Sequence, residues 1–230
     1  NLAQIINLYQ NFDFVFNNPF TFKDRYSSSM EGYYADKGKH WNLRLFETNF
    51  IPDIRNFSLD RWEERGMQTF IMRLYMANAT SQIHILEASE GTYVTAHRHG
   101  AGPHVLVIDG SGYELLFMPG DENNPERQQK IPIKPYGVIA PQLNEYHQHF
   151  NTSKGPLRQL AFKGWVRMPS VYNEKGGYDP IGAAKSSNPH AYSFMLRYDV
   201  EDPRIREMYY KELEKTGVDL RMEPVNQGGG

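Results

Sequence analysis

Five of the eight histidines fall in two short blocks, and their spacing is the first sign of chemistry in the chain. The first block runs Gly91-Thr-Tyr-Val-Thr-Ala-His97-Arg-His99-Gly-Ala-Gly-Pro-His104, with glycines following at 110 and 112. Alternate side chains of an extended strand share a face, so His97 and His99 project to one side roughly 7 Å apart. Two imidazoles so placed can share one metal ion. Gly100, Gly102 and Pro103 then reverse the chain, letting a strand that begins at His104 return with a third imidazole. The second block, Pro141-Gln-Leu-Asn-Glu145-Tyr-His147-Gln-His149-Phe-Asn151, puts His147 and His149 on one face by the same alternation. Imidazoles converging from three strands suit Fe(II), Mn(II), Ni(II), Cu(II) or Zn(II), and ligand type alone leaves the metal open. A lone strand histidine is more often a hydrogen-bonded core residue than a ligand. The pairs and their glycine punctuation carry the metal reading, whereas His40, His84 and His190 stand alone and read as structural.

Around these blocks, His149 is expected to face the interior as a proton donor or acceptor, or as a polar residue bonded to a backbone carbonyl. Glu145 is the nearest candidate carboxylate, on a loop with Gln142, Asn144 and Tyr146 at the mouth of the site. His149 and Glu145 are therefore the candidate catalytic pair. Tyr93 and Thr95 share the alternation of His97 and are expected to line the cavity, while Arg98 points away from it. Phe117, Phe162 and Trp165 read as core or interface. The absence of cysteine excludes disulfides, thiolate metal sites and cysteine nucleophiles. No phosphate-binding glycine loop, nucleophile elbow or dinucleotide fingerprint occurs. With 25 Lys and Arg against 27 Asp and Glu, the net charge of -2 gives no electrostatic reason to expect nucleic acid or an anionic membrane as partner. No apolar run is long enough to span a bilayer, and the expectation is a cytoplasmic protein.

The elements that must position these residues are short strands. Alternating or apolar runs separated by turn residues cover 69–76, 82–88, 93–97, 104–108, 113–118, 137–141, 147–151 and 157–162, a spacing typical of an all-β sandwich or barrel. The polar stretch 118–130 reads as a surface loop. Toward the N-terminus, Phe12, Phe14, Phe16, Phe20 and Phe22 surround an Asn-Asn-Pro turn and predict an aromatic arm. Near the C-terminus, Asp202 as cap, Pro203 at the first helical position and Gly217 as stop predict a helix to about Lys215. The expected organisation is an arm over 1–66, a barrel over 67–168 and a loop-and-helix extension over 169–230.

Both histidine blocks resemble the sequence motifs of the cupin superfamily. Gly91, His97-x-His99, His104 and the later glycines match the first motif, and Pro141 with His147-x-x-x-Asn151 matches the second. The resemblance spans Gly91 to Asn151 and implies a cupin barrel, that is, a double-stranded β-helix or jelly roll. It also implies a metal held by His97, His99, the residue at position 104 and His147, with Fe(II) or Mn(II) favoured over Ni, Cu or Zn. Two positions depart from the pattern. His104 replaces the usual Glu, and Leu143 stands where Gly is usual, with one extra residue before His147. A histidine at 104 removes the anionic ligand, leaves more positive charge on the metal and favours an anionic or chelating substrate. If His104 is not a ligand, a three-histidine site with an open position remains.

The chain as a whole resembles the C-terminal part of larger bacterial proteins with two cupin domains. Phe16-Asn-Asn-Pro-Phe20, Glu47-Thr-Asn-Phe50 and Asp202-Pro-Arg204 carry that likeness, which implies a further cupin domain before Asn1. The resulting expectation is a self-associating, metal-dependent oxygenase acting on a small anionic or phenolic molecule. A metal-dependent isomerase, decarboxylase or lyase, or a noncatalytic binding cupin, are the alternatives.

Overall fold

The computed structural model describes residues 25–27, 45–47, 51, 53–76, 81–98, 103–142, 144–163 and 195–225. The aromatic arm, His99 and Trp165 lie outside them. In chain order the strands are β1 (Arg25–Ser27), β2 (Leu45–Glu47), β3 (Asp60–Arg61), β4 (Thr69–Met76), β5 (Ser81–Ala88), β6 (Ala96–His97) and β7 (His104–Asp109). They continue with β8 (Gly112–Phe117), β9 (Gln129–Ile133), β10 (Val138–Ile139), β11 (Tyr146–Asn151), β12 (Leu157–Lys163) and β13 (Met195–Leu196), before helix α1 (Pro203–Thr216). One sheet runs β1-β2-β4-β5-β12-β7-β10, with β3 also on β4, and the other runs β13-β6-β11-β8-β9. All pairings are antiparallel except β2 with β4. Among the described residues the chain is all-β with one α-helix, as expected, in a jelly-roll arrangement whose two sheets do not close on each other.

The period-2 pattern of the strands builds four layers. On the inner faces, Val107 and Leu157 from the larger sheet pack with Ile133 of β9, and Ile71, Leu86 and Ala88 pack with Val94. The outer face of the larger sheet, including Leu74, Ile83, Ile85 and Leu160, is covered by Ile51, Ile54, Phe57 and Leu59. Arg158 ties that cover down through the carbonyls of Ile54 and Phe57 and an ion pair of 2.7 Å with Glu87. Across the outer face of the smaller sheet lie Ile205, Tyr209 and Leu213 of α1, packed on Tyr93, Tyr113, Leu115 and Phe150. Their spacing along α1 forms one apolar stripe, so the helix buries one side and leaves the other to solvent.

Within residues 67–163 two strands differ from the sequence pattern. β9 was not expected, because Lys130 and Pro132 interrupt its alternation. It is tolerated because β9 is the edge of its sheet, where a proline need not donate to a ladder. In the predicted strand 93–97 only Ala96 and His97 are regular, since both the backbone N–H and the hydroxyl of Thr95 bond the Arg65 carbonyl, at 3.0 and 2.8 Å. That detour turns Tyr93 outward, stacked on Phe150 with ring centroids 4.7 Å apart, and it does not line the interior. Gly112 has a direct steric cause. A Cβ there would lie 1.8 Å from the Phe150 carbonyl oxygen on the paired strand.

The ends of α1 follow from its caps. Asp202 accepts from the Arg204 backbone N–H at 2.9 Å, and Gly217 closes the helix in the left-handed region at φ 66°. Asp202→Ala is expected to cost about 1 kcal/mol, visible as a fall of about 2–4 °C in melting temperature. Among the described residues no helix is long and apolar enough to cross a membrane.

Behind the smaller sheet, Glu201 is buried and accepts from Tyr93 Oη and from Gln148 Nε2, both at 2.6 Å. Burial pushes its carboxyl from 4.5 up to about 7 despite these two donors. The folded chain therefore holds this proton more tightly than the unfolded chain. Its contribution to stability is fully present below about pH 4.5 and is lost as pH rises through 7, an effect on the order of 3 kcal/mol. Denaturation against pH should show this slope in the parent and lack it in Glu201→Gln.

Candidate metal centre

His147 and His149 both lie on β11, two residues apart, and face the space between the sheets. Their neighbours Tyr146, Gln148 and Phe150 face outward, as Gln148 reaches Glu201 and Phe150 packs in the helix layer. His97 on β6 is paired directly opposite His147. The result is a compact triad in which the ring centroids of His97 and His147 are 3.8 Å apart and His149 lies 5.9 and 5.7 Å from them. One ring nitrogen from each comes within 4.8 Å of the others, a spacing at which the group could hold a metal ion. His147 and His149 are buried and His97 is half-buried.

The ring orientations have identifiable partners. His147 Nδ1 is 3.2 Å from the Glu145 carbonyl, and His97 Nδ1 is 3.1 Å from the His147 carbonyl. For His147 the backbone acceptor at Nδ1 selects the tautomer with its lone pair on Nε2, a form that ligates metals, whereas His97 Nδ1 lies between the His147 carbonyl and a guanidinium. For His149 the partner at Nδ1 is a carboxylate, Oε1 of Glu114 on β8. The register places Glu114 opposite His149 on the same face. Gln159 reaches across from β12 and donates to the same oxygen at 2.9 Å, joining the two sheets beneath the triad.

A buried cation flanks the triad. Arg65, 3% exposed, stands at the end of a 3-10 turn (Glu63–Arg65), where Nη1 donates to the Thr95 carbonyl and to Thr95 Oγ1. Its Nη2 lies beside the His97 ring, 2.5 Å from Nδ1 and 3.0 Å from Nε2. A guanidinium only donates, so it brings positive charge to the edge of the group.

The remaining sequence candidates fall elsewhere. His104 opens β7 in the other sheet, exposed and opposite Phe162, and it is not among the residues brought together. Glu145 is buried, yet its carboxylate turns to its own loop, where Oε2 accepts from the Gln142 backbone N–H at 2.8 Å. It meets His147 through its carbonyl. Arg98 bonds Asn144 and lies over the Tyr146 ring, outside the triad as expected. Sequence reasoning had no signal for Arg65, which is 32 residues from His97, nor for Glu114 and Gln159, whose approach depends on strand register.

From β5 to β8, and again from β9 to β12, each successive strand lies in the other sheet, and the histidines of the two motifs meet on neighbouring strands. The fold is a jelly roll.

No family model matches the sequence, and no curated protein matches it significantly. Solved cupin structures are similar to parts of it. A predicted oxalate decarboxylase from Thermotoga maritima aligns at 17% identity over 51% of this chain and 100% of its own, with a TM-score of 0.41. A cupin 2 conserved barrel domain protein from Rhodopseudomonas palustris aligns at 20% identity over 44% and 63%, with a TM-score of 0.35. The oxalate decarboxylase of Lactobacillus farciminis, in its formate complex, aligns at 14% identity over 50% and 35%, with a TM-score of 0.39.

Proposed function

We propose that this cupin is a metal-dependent enzyme, an oxygenase acting on a small anionic or phenolic molecule. The observation that carries the reading is the convergence of His97, His147 and His149 between the sheets with the Arg65 guanidinium at their edge. Three imidazoles put no anionic ligand directly on a divalent ion, the Glu114 carboxylate standing behind His149, and Arg65 adds positive charge at their edge. An anionic oxygen donor is the ligand that such a site favours. Fe(II) or Mn(II) is the favoured ion, and when bound it would supply Lewis acidity and a route to dioxygen.

The protein's own residues would do the rest. His147 and His149 hold their orientation through Nδ1, His97 is held between the His147 carbonyl and Arg65, and Arg65, anchored at Thr95, orients the anionic group of the substrate.

The test is elemental analysis of tag-free protein reconstituted anaerobically with Fe(II) or Mn(II), followed by oxygen uptake with a panel of phenols, hydroxy acids and dicarbonyl compounds. About one metal per chain together with substrate-dependent oxygen consumption is the expected result. Metal binding with no turnover across the panel would overturn the oxygenase assignment in favour of a binding cupin. A companion expectation concerns Arg65→Met, which should raise KM for the anionic member of an active series by about tenfold or more, while uncharged members change little.

A further inference from the structure

Glu114 is the buried charge that the triad itself does not explain. It is 1% exposed on β8, and its neighbours Tyr113 and Leu115 face the helix layer, so its side chain points between the sheets. Oε1 accepts from His149 Nδ1 and from Gln159 Nε2. Oε2 is buried with no hydrogen-bond partner among the described residues. An unpaired carboxylate oxygen in such a place opposes folding, and natural cores hold buried charges only where an opposite charge compensates them. What adjoins it are the His149 ring and Gln159 from the opposite sheet, and beyond that ring the other two imidazoles.

We propose that Glu114 is the positioning carboxylate of the metal centre, holding His149 through Nδ1 so that Nε2 is presented to the ion. The proposal rests on the metal site advanced above. Because His104 replaces the carboxylate usual at its place in the motif, negative charge reaches this centre from another strand and through a histidine. Gln159 fixes the carboxylate by donating to the same oxygen from the opposite sheet. A hydrogen-bonded carboxylate raises the basicity of the ligating imidazole and restricts its rotation, and losing such a partner weakens metal binding about 10- to 100-fold.

The experiment titrates Co(II) into the parent, Glu114→Gln and Glu114→Met, following the visible d–d absorption, with a melting curve of each metal-free protein. Glu114→Gln keeps the shape and an acceptor oxygen and is expected to bind Co(II) about tenfold more weakly. Glu114→Met keeps only the volume and should fall toward the hundredfold end with a shifted Co(II) spectrum. The metal-free melting temperature of Glu114→Gln, which keeps an acceptor oxygen, should change little, whereas Glu114→Met leaves the His149 and Gln159 donors without an acceptor and should melt lower. If either folded variant binds Co(II) with the parent's affinity and spectrum, or if melting falls while affinity does not, Glu114 is only a packing residue and the proposal fails. A parent that binds no Co(II), Fe(II) or Mn(II) overturns the metal site itself, which is a different result.

Discussion

His147→Ala is expected to reduce bound metal from about one per chain to near zero, and His97→Ala to do the same. His147 is the centre of the group: it is paired with His97 across the strands, shares a face with His149, and its carbonyl receives the His97 Nδ1. Removing it takes one of three imidazoles and leaves a space between the other two. Two neutral ligands without a carboxylate hold a divalent ion poorly at neutral pH. The structure gives the contrast. His104→Ala, on the exposed start of β7, is expected to keep its metal, which would identify the three-histidine form of the site. Elemental analysis of the four proteins after dialysis decides the matter. Full occupancy in both His97→Ala and His147→Ala would refute the site.

Tyr209→Ala should be the most destabilising single change in the helix layer. Tyr209 is fully buried, edge-on to Tyr93 at 5.0 Å and tilted on Phe150 at 5.6 Å, at the centre of the cluster that docks α1. Its hydroxyl donates to the carbonyls of Thr92 and Asn151, at 3.0 and 2.5 Å, joining the helix to the approach of β6 and the end of β11. Truncation removes the ring, opens a cavity and leaves those carbonyls short of a donor. The expected cost is about 3–5 kcal/mol, and Tyr209→Phe, which loses only the hydroxyl, about 1 kcal/mol. Urea denaturation followed by near-ultraviolet circular dichroism measures both. Near-equal losses in the two variants would show that the hydroxyl and not the ring anchors the helix. Because β11 carries His147 and His149 on its other face, Tyr209→Ala should also weaken metal binding before the sheets unfold.

Much of this molecule was legible as one-dimensional pattern. Alternation along β4, β5, β7, β8, β11 and β12 reports strands with one buried face, since the side-chain period is a property of the strand itself. The helix was equally local, set by Asp202, Pro203 and Gly217, whose effects act within a turn. That His147 and His149 share a face follows from the same period, as does the outward turn of Gln148. The motif spacing also relates the two histidine blocks to each other.

What tertiary structure decided are the contacts between strands distant in sequence. The Thr95 detour that reverses Tyr93 requires the Arg65 carbonyl to be adjacent, and that adjacency is set by the fold. His149 joins His97 and His147 because β6 and β11 pair in one register, while His104 is carried to the opposite sheet by the next crossing. Register likewise puts Glu114 opposite His149, and only sheet-to-sheet packing brings Gln159 to the same carboxylate. A one-residue slip of β8 would place Tyr113 or Leu115 there instead. By itself the sequence determined which side chains lie on which face of each strand. Which of those faces meet, and so which of the many polar residues become one site, was decided by pairing and packing, because hydrogen-bond register between remote strands leaves no local trace in either one.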